Sequence, residues 1–375
     1  MENEVLTATH DFCKKYIQPY EKEIDFDSKF VKEILKEFSS HGFMALPFPK
    51  KYGGLEQSTI LYSKTATIIS QYSGTIASIL GAHCLAAFSV LFGGGEEQKE
   101  KYLPDLIKGR LIGSFALTEQ NAGSDPASIE TEAIRDGNFY VLNGTKAFTT
   151  NAGLSDLYVI MAKTDKERGA RGISAFIVER EDKNFVIGRQ EKKMALPGLP
   201  NASLLLNGVR IPKERLLGRE GMGFIIVKKV LDVGRIAAAS AAVGLAKRAL
   251  IESVRYSKQR EQFGKPISAF EMIQSHIADM GTKVEAAELL TLKAAEAADQ
   301  KQRDAAKIAA MAKYFAAQVA VDVSRLAVQI FGGYGFIQDY VVERLYKEAK
   351  MYEIIEGTNE IQKLIIANAL LKEME

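Results

Sequence analysis

Two cysteines in 375 residues, Cys13 and Cys84, are too few and too far apart for a disulfide framework or a thiolate metal site. Each reads as a small buried apolar side chain. The four histidines, His10, His41, His83 and His276, are spread too widely to form a metal site by spacing. His83, inside an apolar run, is expected to be a satisfied core histidine. No run of about 18 apolar residues is evident, so no segment is expected to cross a bilayer. Glu2 and Glu4 stand where a secretory leader would carry positive charge. The net charge of +2 is too small to point to nucleic acid or a membrane surface. G-x-G-x-x-G, G-x-x-x-x-G-K-[ST] and G-x-S-x-G are all missing. The usual dinucleotide fold, the P-loop and the serine elbow are therefore excluded. A soluble protein of a reducing compartment is expected, cytoplasmic or, for a mature eukaryotic form, in the mitochondrial matrix.

What is present is ordinary in amount, 47% apolar and 26% charged, and strongly ordered along the chain. Residues 1–110 read as helices. Phe30, Ile34, Leu35 and Phe38 recur at helical spacing, and an apolar stretch over about 60–92 breaks near Ser73-Gly74. Residues 111–217 hold short β-type runs at 111–117, 139–142, 157–162, 173–178, 185–188 and 204–206. Asp136-Gly137-Asn138 and Asn143-Gly144 are the expected turns between them. This pattern predicts an antiparallel barrel or sandwich. Residues 218–375 return to helix, with alanine-rich periodic segments at about 224–255, 270–299, 305–331 and 342–371, as in a four-helix bundle. The fold class is α+β, in three domains.

Several stretches have the chemistry of a site. In Ile354-Ile355-Glu356-Gly357-Thr358-Asn359, apolar neighbours would desolvate a carboxylate and raise its pKa toward that of a useful base. The same residues also read as a helix stop at Gly357 and a cap at Thr358-Asn359. Phe115 to Asp125 is a strand end followed by a polar, glycine-containing turn, able to hold a phosphate or cofactor. Asn143 to Ala152 sets an aromatic ring beside hydroxyls, suited to one face of a flat ring system. Asp232, Arg235 and Arg260 lie downstream, and arginine suits bidentate phosphate recognition. Each stretch alone is an ordinary turn, hairpin or surface charge.

In this order and spacing they resemble the acyl-CoA dehydrogenase family over essentially the whole chain. The resemblance rests on Leu117-Thr118-Glu119, Asn121 to Asp125, Arg260 to Gly264, Gly332-Gly333-Tyr334-Gly335 and Glu356-Gly357-Thr358. It implies a helical domain, a middle β-domain and a C-terminal four-helix bundle. It also implies FAD, a homotetramer built as a dimer of dimers, an acyl-CoA substrate desaturated to the trans-2-enoyl-CoA, and an electron-transfer flavoprotein as partner. By matching positions, Glu356 would be the base. Phe115, Leu117, Thr118, Gly123, Ser124, Phe148, Thr149 and Thr150 would meet the cofactor, as would Gly357, Thr358 and Glu360. Arg260, Gln262, Phe263, Gln329, Gly332 and Gly333 would reach the FAD of a neighbouring subunit. Ser124, Asp232 and Arg235 would meet the thioester.

The chain departs from the family pattern in two places. Ile355 stands where many members have tyrosine. Pro197 and Leu199 replace the arginine and serine of a Gly-x-Arg-x-Ser loop. Some members place the base at the position of Gly234, which cannot serve here. Two other readings follow: an oxygen-reacting relative, such as an acyl-CoA oxidase or flavin monooxygenase, and a catalytically silent acyl-CoA or acyl-carrier binding protein. Gly81, Ala82, Ala86 and Ala87 match positions near the acyl tail. Leu80, Leu85 and Phe88 beside them suggest a short or modestly branched acyl group.

Overall fold

The computed structural model describes residues 2–21, 24 and 28–373. Five α-helices come first: α1 Glu2–Phe12, α2 Ser28–Ser40, α3 Thr59–Tyr72, α4 Gly74–Gly93 and α5 Glu96–Ile107. Ser73 separates α3 from α4, and its hydroxyl caps α4 by accepting from the Ile76 N–H at 3.2 Å. Strands follow: β1 Gly113–Ala116, β2 Glu132–Asp136, β3 Phe139–Thr150, β4 Leu157–Lys163, β5 Ile173–Glu179, β6 Phe185–Gln190, β7 Asn201–Pro212 and β8 Leu216–Leu217. Then come α6 Gly223–Gln259, the small hairpin β9 Glu261–Gln262 and β10 Lys265–Pro266, α7 Glu271–Asp299, α8 Ala305–Phe331, α9 Val341–Tyr352 and α10 Asn359–Glu373.

The strand order is β6-β7-β3-β2-β4-β5-β8, with β1 added against β4. Pairing is antiparallel except for β1 on β4 and the single contact of β2 with β4. That contact, Glu132 with Lys163, lets the two halves of the sheet face one another. Tyr140, Leu142, Tyr158, Phe176, Leu204 and Ile211 fill the space between them. β4 and β5 are buried on both faces, because their other face carries α4, α5 and α6. Asn143-Gly144 is not a turn, as the sequence suggested. It lies inside the twelve-residue β3, where the register with β7 shifts between Leu142 and Asn143. β2 went unrecognised because Glu132, Arg135 and Asp136 make it half-exposed and polar.

Among the described residues, two helices are long and apolar enough to cross a membrane, Gly74–Gly93 and the segment Ala305–Phe336, contrary to the sequence expectation. Most of the first and over half of the second are buried among neighbouring elements. Helices enclosed on most sides become apolar on most sides. α6 is the central post. α3 is laced to it by Ser63 Oγ with Ser240 Oγ at 2.7 Å and by the Ser70 hydroxyl donating to the Ala241 carbonyl at 2.7 Å. His83 is fully buried and satisfied: Nε2 lies 3.1 Å from the Leu106 carbonyl, and Nδ1 accepts from the Gly113 N–H at 3.0 Å. Burial pushes its pKa down to about 4, so it stays neutral. Both cysteines are free and buried, and burial pushes each thiol up to about 12.

Candidate active site

The fourth helical segment of the bundle is broken, not continuous as its periodicity suggested. α9 ends at Tyr352 and α10 starts at Asn359. Between them Glu356 has φ +54° and Gly357 φ +87°. A left-handed glutamate costs on the order of 1–3 kcal/mol and persists only where surroundings fix it. Three side chains fix it here. Lys313 Nζ donates to the Gly357 carbonyl at 2.8 Å and to Asn359 Oδ1 at 3.2 Å. Gln362 Nε2 donates to the carbonyls of Glu356, at 3.1 Å, and Gly357, at 2.8 Å. Thr358 Oγ1 accepts from the Ile361 N–H at 3.3 Å, so the capping role read from the sequence is real as well.

The break aims the Glu356 carboxylate at α6. Oε2 is buried and has no hydrogen-bond partner. Gly234 makes room for it: a Cβ there would lie 2.5 Å from Oε2 and 3.0 Å from Leu85 Cδ2. Burial pushes the Glu356 pKa up to about 7, against the opposing pull of Arg235 and Lys313. Lys313 is itself 1% exposed, and burial brings its pKa down to about 8. Arg235 is buried, with Nη1 donating to Asp232 Oδ1 at 2.7 Å and Nε unpartnered.

A cavity of about 680 Å³ opens in front of this carboxylate. From the middle domain, Phe115, Leu117 and Thr118 reach it at the end of β1, with Gly123 and Ser124 in the loop that follows. That loop is tied down by a buried ion pair. Lys146 Nζ donates to Glu119 Oε1 at 2.6 Å, and the same carboxylate accepts from the N–H groups of Glu130 and Thr131. Phe148, Thr149 and Thr150 face the cavity from β3. The register between β3 and β7 shifts between Lys146 and Thr149, and Phe148 sits at φ +53° with its ring 65% exposed. A phenylalanine in that region of φ is a genuine outlier. Here a bulge turns an aromatic ring out of the sheet beside the Thr149 hydroxyl, which is buried without a partner. Asn151, φ +66°, anchors the strand end through Nδ2 donating to the carbonyls of Ile79 and Gly113. Gly357, Thr358 and Arg235 line the cavity too; Asp232 does not, and is paired with Arg235.

The remaining expected residues gather elsewhere. Arg260 follows the last turn of α6, its guanidinium 5.6 Å from the Tyr334 ring centre. Gln262 lies in β9, and Phe263 at the hairpin tip has φ +52° and is 93% exposed. Gln329 in the last turn of α8, Gly332 and Gly333 lie at the same end of the bundle and are exposed. None of these six lines the cavity. Glu360 is exposed in the first turn of α10.

Leu199 and Gly81 belong to the cavity wall, and Ala82 joins them. Leu196 and Leu199 are buried against the N-terminal helices, so the loop that lost its polar residues has become apolar wall. Phe88 does not close the cavity; its ring packs on Phe48 at 4.8 Å between centres. Ala86 and Ala87 are wholly buried in other contacts, Ala86 against Gly113. Sequence reading missed Lys313, Gln362, Asn151 and the Glu119–Lys146 pair as site residues. Lys313 carried a visible signal, as the only charged residue between positions 308 and 321. A lysine there must find buried partners.

Comparison with known proteins gives a consistent result. Models of the acyl-CoA dehydrogenase N-terminal, middle and C-terminal domains match residues 1–110, 114–209 and 221–371. The 3-(aryl)acrylate reductase of Clostridium sporogenes is 42% identical, over 96% of this chain and 96% of its own. The caffeyl-CoA reductase-Etf complex subunit CarC of Acetobacterium woodii is 42% identical, over 93% and 92%. The solved structure of butyryl-CoA dehydrogenase from Megasphaera elsdenii superposes with a TM-score of 0.95 at 39% identity, covering 99% of this chain and 98% of that one.

Proposed function

The chain belongs to the acyl-CoA dehydrogenase family, FAD-dependent oxidoreductases acting on CH–CH bonds, and on that premise we propose that Glu356 is the base that takes the α-proton of an acyl-CoA thioester. The observation that carries this reading is the buried, unpartnered Oε2 of Glu356 at the cavity wall. A carboxylate with its pKa raised to about 7 holds a proton at Oε2 far better than an ordinary one. The Glu356 N–H has no backbone acceptor among the described residues, which leaves it free for the thioester carbonyl. The walls are mostly apolar, and Arg235 and Lys313 pull the carboxylate toward its ionised form. The residues present fit FAD: the loop at Gly123, where a Cβ would meet nothing, the unpartnered Thr149 hydroxyl and the outturned Phe148 ring make a polar shelf beside a flat face. When bound, FAD supplies the acceptor for the hydride that leaves the β-carbon. Anaerobic mixing with an acyl-CoA should bleach the oxidised flavin band. A silent binding protein would leave it unchanged, and an oxidase would make peroxide on return to air.

Arg260, Gln262, Phe263, Gln329, Gly332 and Gly333 serve a second copy of the chain, since all but the half-buried Arg260 are exposed at one end of the bundle and all six lie apart from the cavity. A homotetramer, as a dimer of dimers, would complete each site. Arg260→Ala should weaken FAD retention with the fold intact. FAD content after gel filtration checks this, and full occupancy in a monomer would refute the shared site. An electron-transfer flavoprotein is the partner we assign, because the Acetobacterium relative is a subunit of an Etf complex.

The acyl end is deeper than a short group requires. On α4, Leu85 and Ser78 both line the cavity seven residues apart, and on α6 so do Gly234 and Ala241. At 1.5 Å per residue each span is about 10 Å. Phe38, Phe43 and Met44 of the N-terminal domain also line it. We therefore read the substrate as a medium-length or ring-bearing acyl-CoA, in keeping with the arylacrylate and caffeyl names of two relatives. Gly81, where a Cβ would meet open space, is the control point. Gly81→Leu should lower kcat/KM for octanoyl- or 3-phenylpropionyl-CoA at least about tenfold, with butyryl-CoA much less affected.

A further inference from the structure

We propose that Lys313 is a positioning residue for the Glu356 base, fastening the break between α9 and α10 and offsetting the charge of the carboxylate. This rests on Glu356 being the base. The geometry is specific. Lys313 lies mid-helix in α8, among Ala309, Ala310, Ala312, Ala316 and Ala317, all at most 1% exposed. Its ammonium ends on the Gly357 carbonyl and on Asn359 Oδ1, the residues on either side of the cap that starts α10. The first bond holds the carbonyl that directly follows the left-handed Glu356, and the second holds the side chain of the first residue of α10. A neutral side chain of similar length could fill the space, so the charge has its own consequence. A buried cation this close to a carboxylate favours the ionised form.

The charged surroundings are few. Lys313 faces Glu356 and Glu353 from the break, Arg235 from α6 and Glu360 from α10. Glu353 is paired with Lys350 at 2.6 Å, and Arg235 with Asp232 at 2.7 Å. Tyr62 of α3 also faces Glu356, and burial holds its hydroxyl far above its ordinary range, so it stays neutral. Lys313 is thus the cation near Glu356 that no carboxylate bonds directly among the described residues, while Arg235 is half-committed to Asp232. Glu356 ionises near 7, with Lys313 pulling it toward the ionised form. The rate of flavin reduction should rise through about pH 7.

The test uses the full-length holoenzyme and two variants. Lys313→Gln keeps a donor for the Gly357 carbonyl but has no charge, and Lys313→Met removes both. Single-turnover flavin reduction by the thioester is measured from pH 5.5 to 9.5, beside hydrogen–deuterium exchange over residues 353–362. For Lys313→Gln the acid limb should move up by about one pH unit, and exchange should stay near that of the wild type. For Lys313→Met exchange at 357–362 should rise at least tenfold as well. An unmoved acid limb in Lys313→Gln overturns the electrostatic role. Wild-type exchange in Lys313→Met overturns the fastening role. If Lys313→Met does not fold, the Lys313→Gln limb decides alone, and FAD content together with thermal unfolding show that this variant is folded. Glu356→Gln, run alongside, keeps the two ideas apart: a fast Glu356→Gln removes the base assignment itself, whereas a slow Glu356→Gln with an unmoved Lys313→Gln limb removes only this inference.

Discussion

Replacing Glu356 with glutamine is expected to slow anaerobic flavin reduction by about 10²–10⁴-fold, the usual contribution of a positioned general base. Glutamine keeps the size of the side chain but cannot accept the α-proton. FAD binding should persist, since the backbone of the break is held by Lys313 and Gln362 through carbonyls that the substitution leaves in place. Glu356→Asp should keep part of the activity, its shorter arm losing alignment. The same Glu356→Gln variant should gain stability. The folded pKa of about 7 lies above the ordinary value of 4.5, so the contribution of the carboxyl is fully present below about pH 4.5 and is lost as pH rises through 7. Glutamine does not titrate. Its advantage should therefore be near zero at pH 4.5 and reach roughly 3 kcal/mol by pH 8. Chemical denaturation at both pH values measures it. A Glu356→Gln enzyme that reduces its flavin within a few-fold of wild type would place the base elsewhere.

The large divisions were legible because they rest on periodicity. Ile34, Leu35 and Phe38 of α2 and the β-type runs at 157–162 and 173–178 are buried as their patterns marked, while Phe30 is only half-buried and α6 and α7 leave Ile225, Ile251, Met272 and Leu289 exposed. The break at Glu356 was legible only as chemistry. Residues 342–371 keep a helical rhythm on both sides of it, and nothing local shows that Glu356 adopts a positive φ. Lys313 and Gln362, which impose that conformation, come from a distant helix and from the next turn. The bulge at Phe148 was hidden for a similar reason: it depends on register with β7, about 50 residues later. The parallel pairing of β1 with β4 is also non-local. The resemblance to a family singled out Glu356, Thr118 and Thr149, which line the cavity, yet it did not point to the residues that hold them. Those residues, Lys146, Asn151, Lys313 and Gln362, are all buried, but only Lys313 stands in an otherwise apolar stretch. Lys313 can be found from sequence by asking which charges have no exposed face; the other three lie in polar stretches that hide them.

Gly234→Ala is expected to lower the flavin reduction rate by about 10²-fold while leaving the fold intact. α6 tolerates alanine well, and in a helix interior alanine is favoured over glycine by about 0.5–1 kcal/mol. The new methyl group, however, would lie 2.5 Å from Glu356 Oε2 and 3.0 Å from Leu85 Cδ2. Both are ends of flexible side chains, so backbone need not move; the carboxylate must. A displacement of about 1 Å from the productive geometry is enough to cost about 10²-fold in rate. Thermal unfolding should thus stay level or rise while chemistry slows, an opposition that general damage to the fold would not produce. The acid limb of the pH profile should remain, because the base is displaced and not removed. Glu356→Gln combined with Gly234→Ala should be no slower than Glu356→Gln alone, since the methyl group acts only through the carboxylate that it displaces. A Gly234→Ala enzyme with wild-type single-turnover rates would show that Oε2 does not need the space beside α6, and that the proton is taken from another direction.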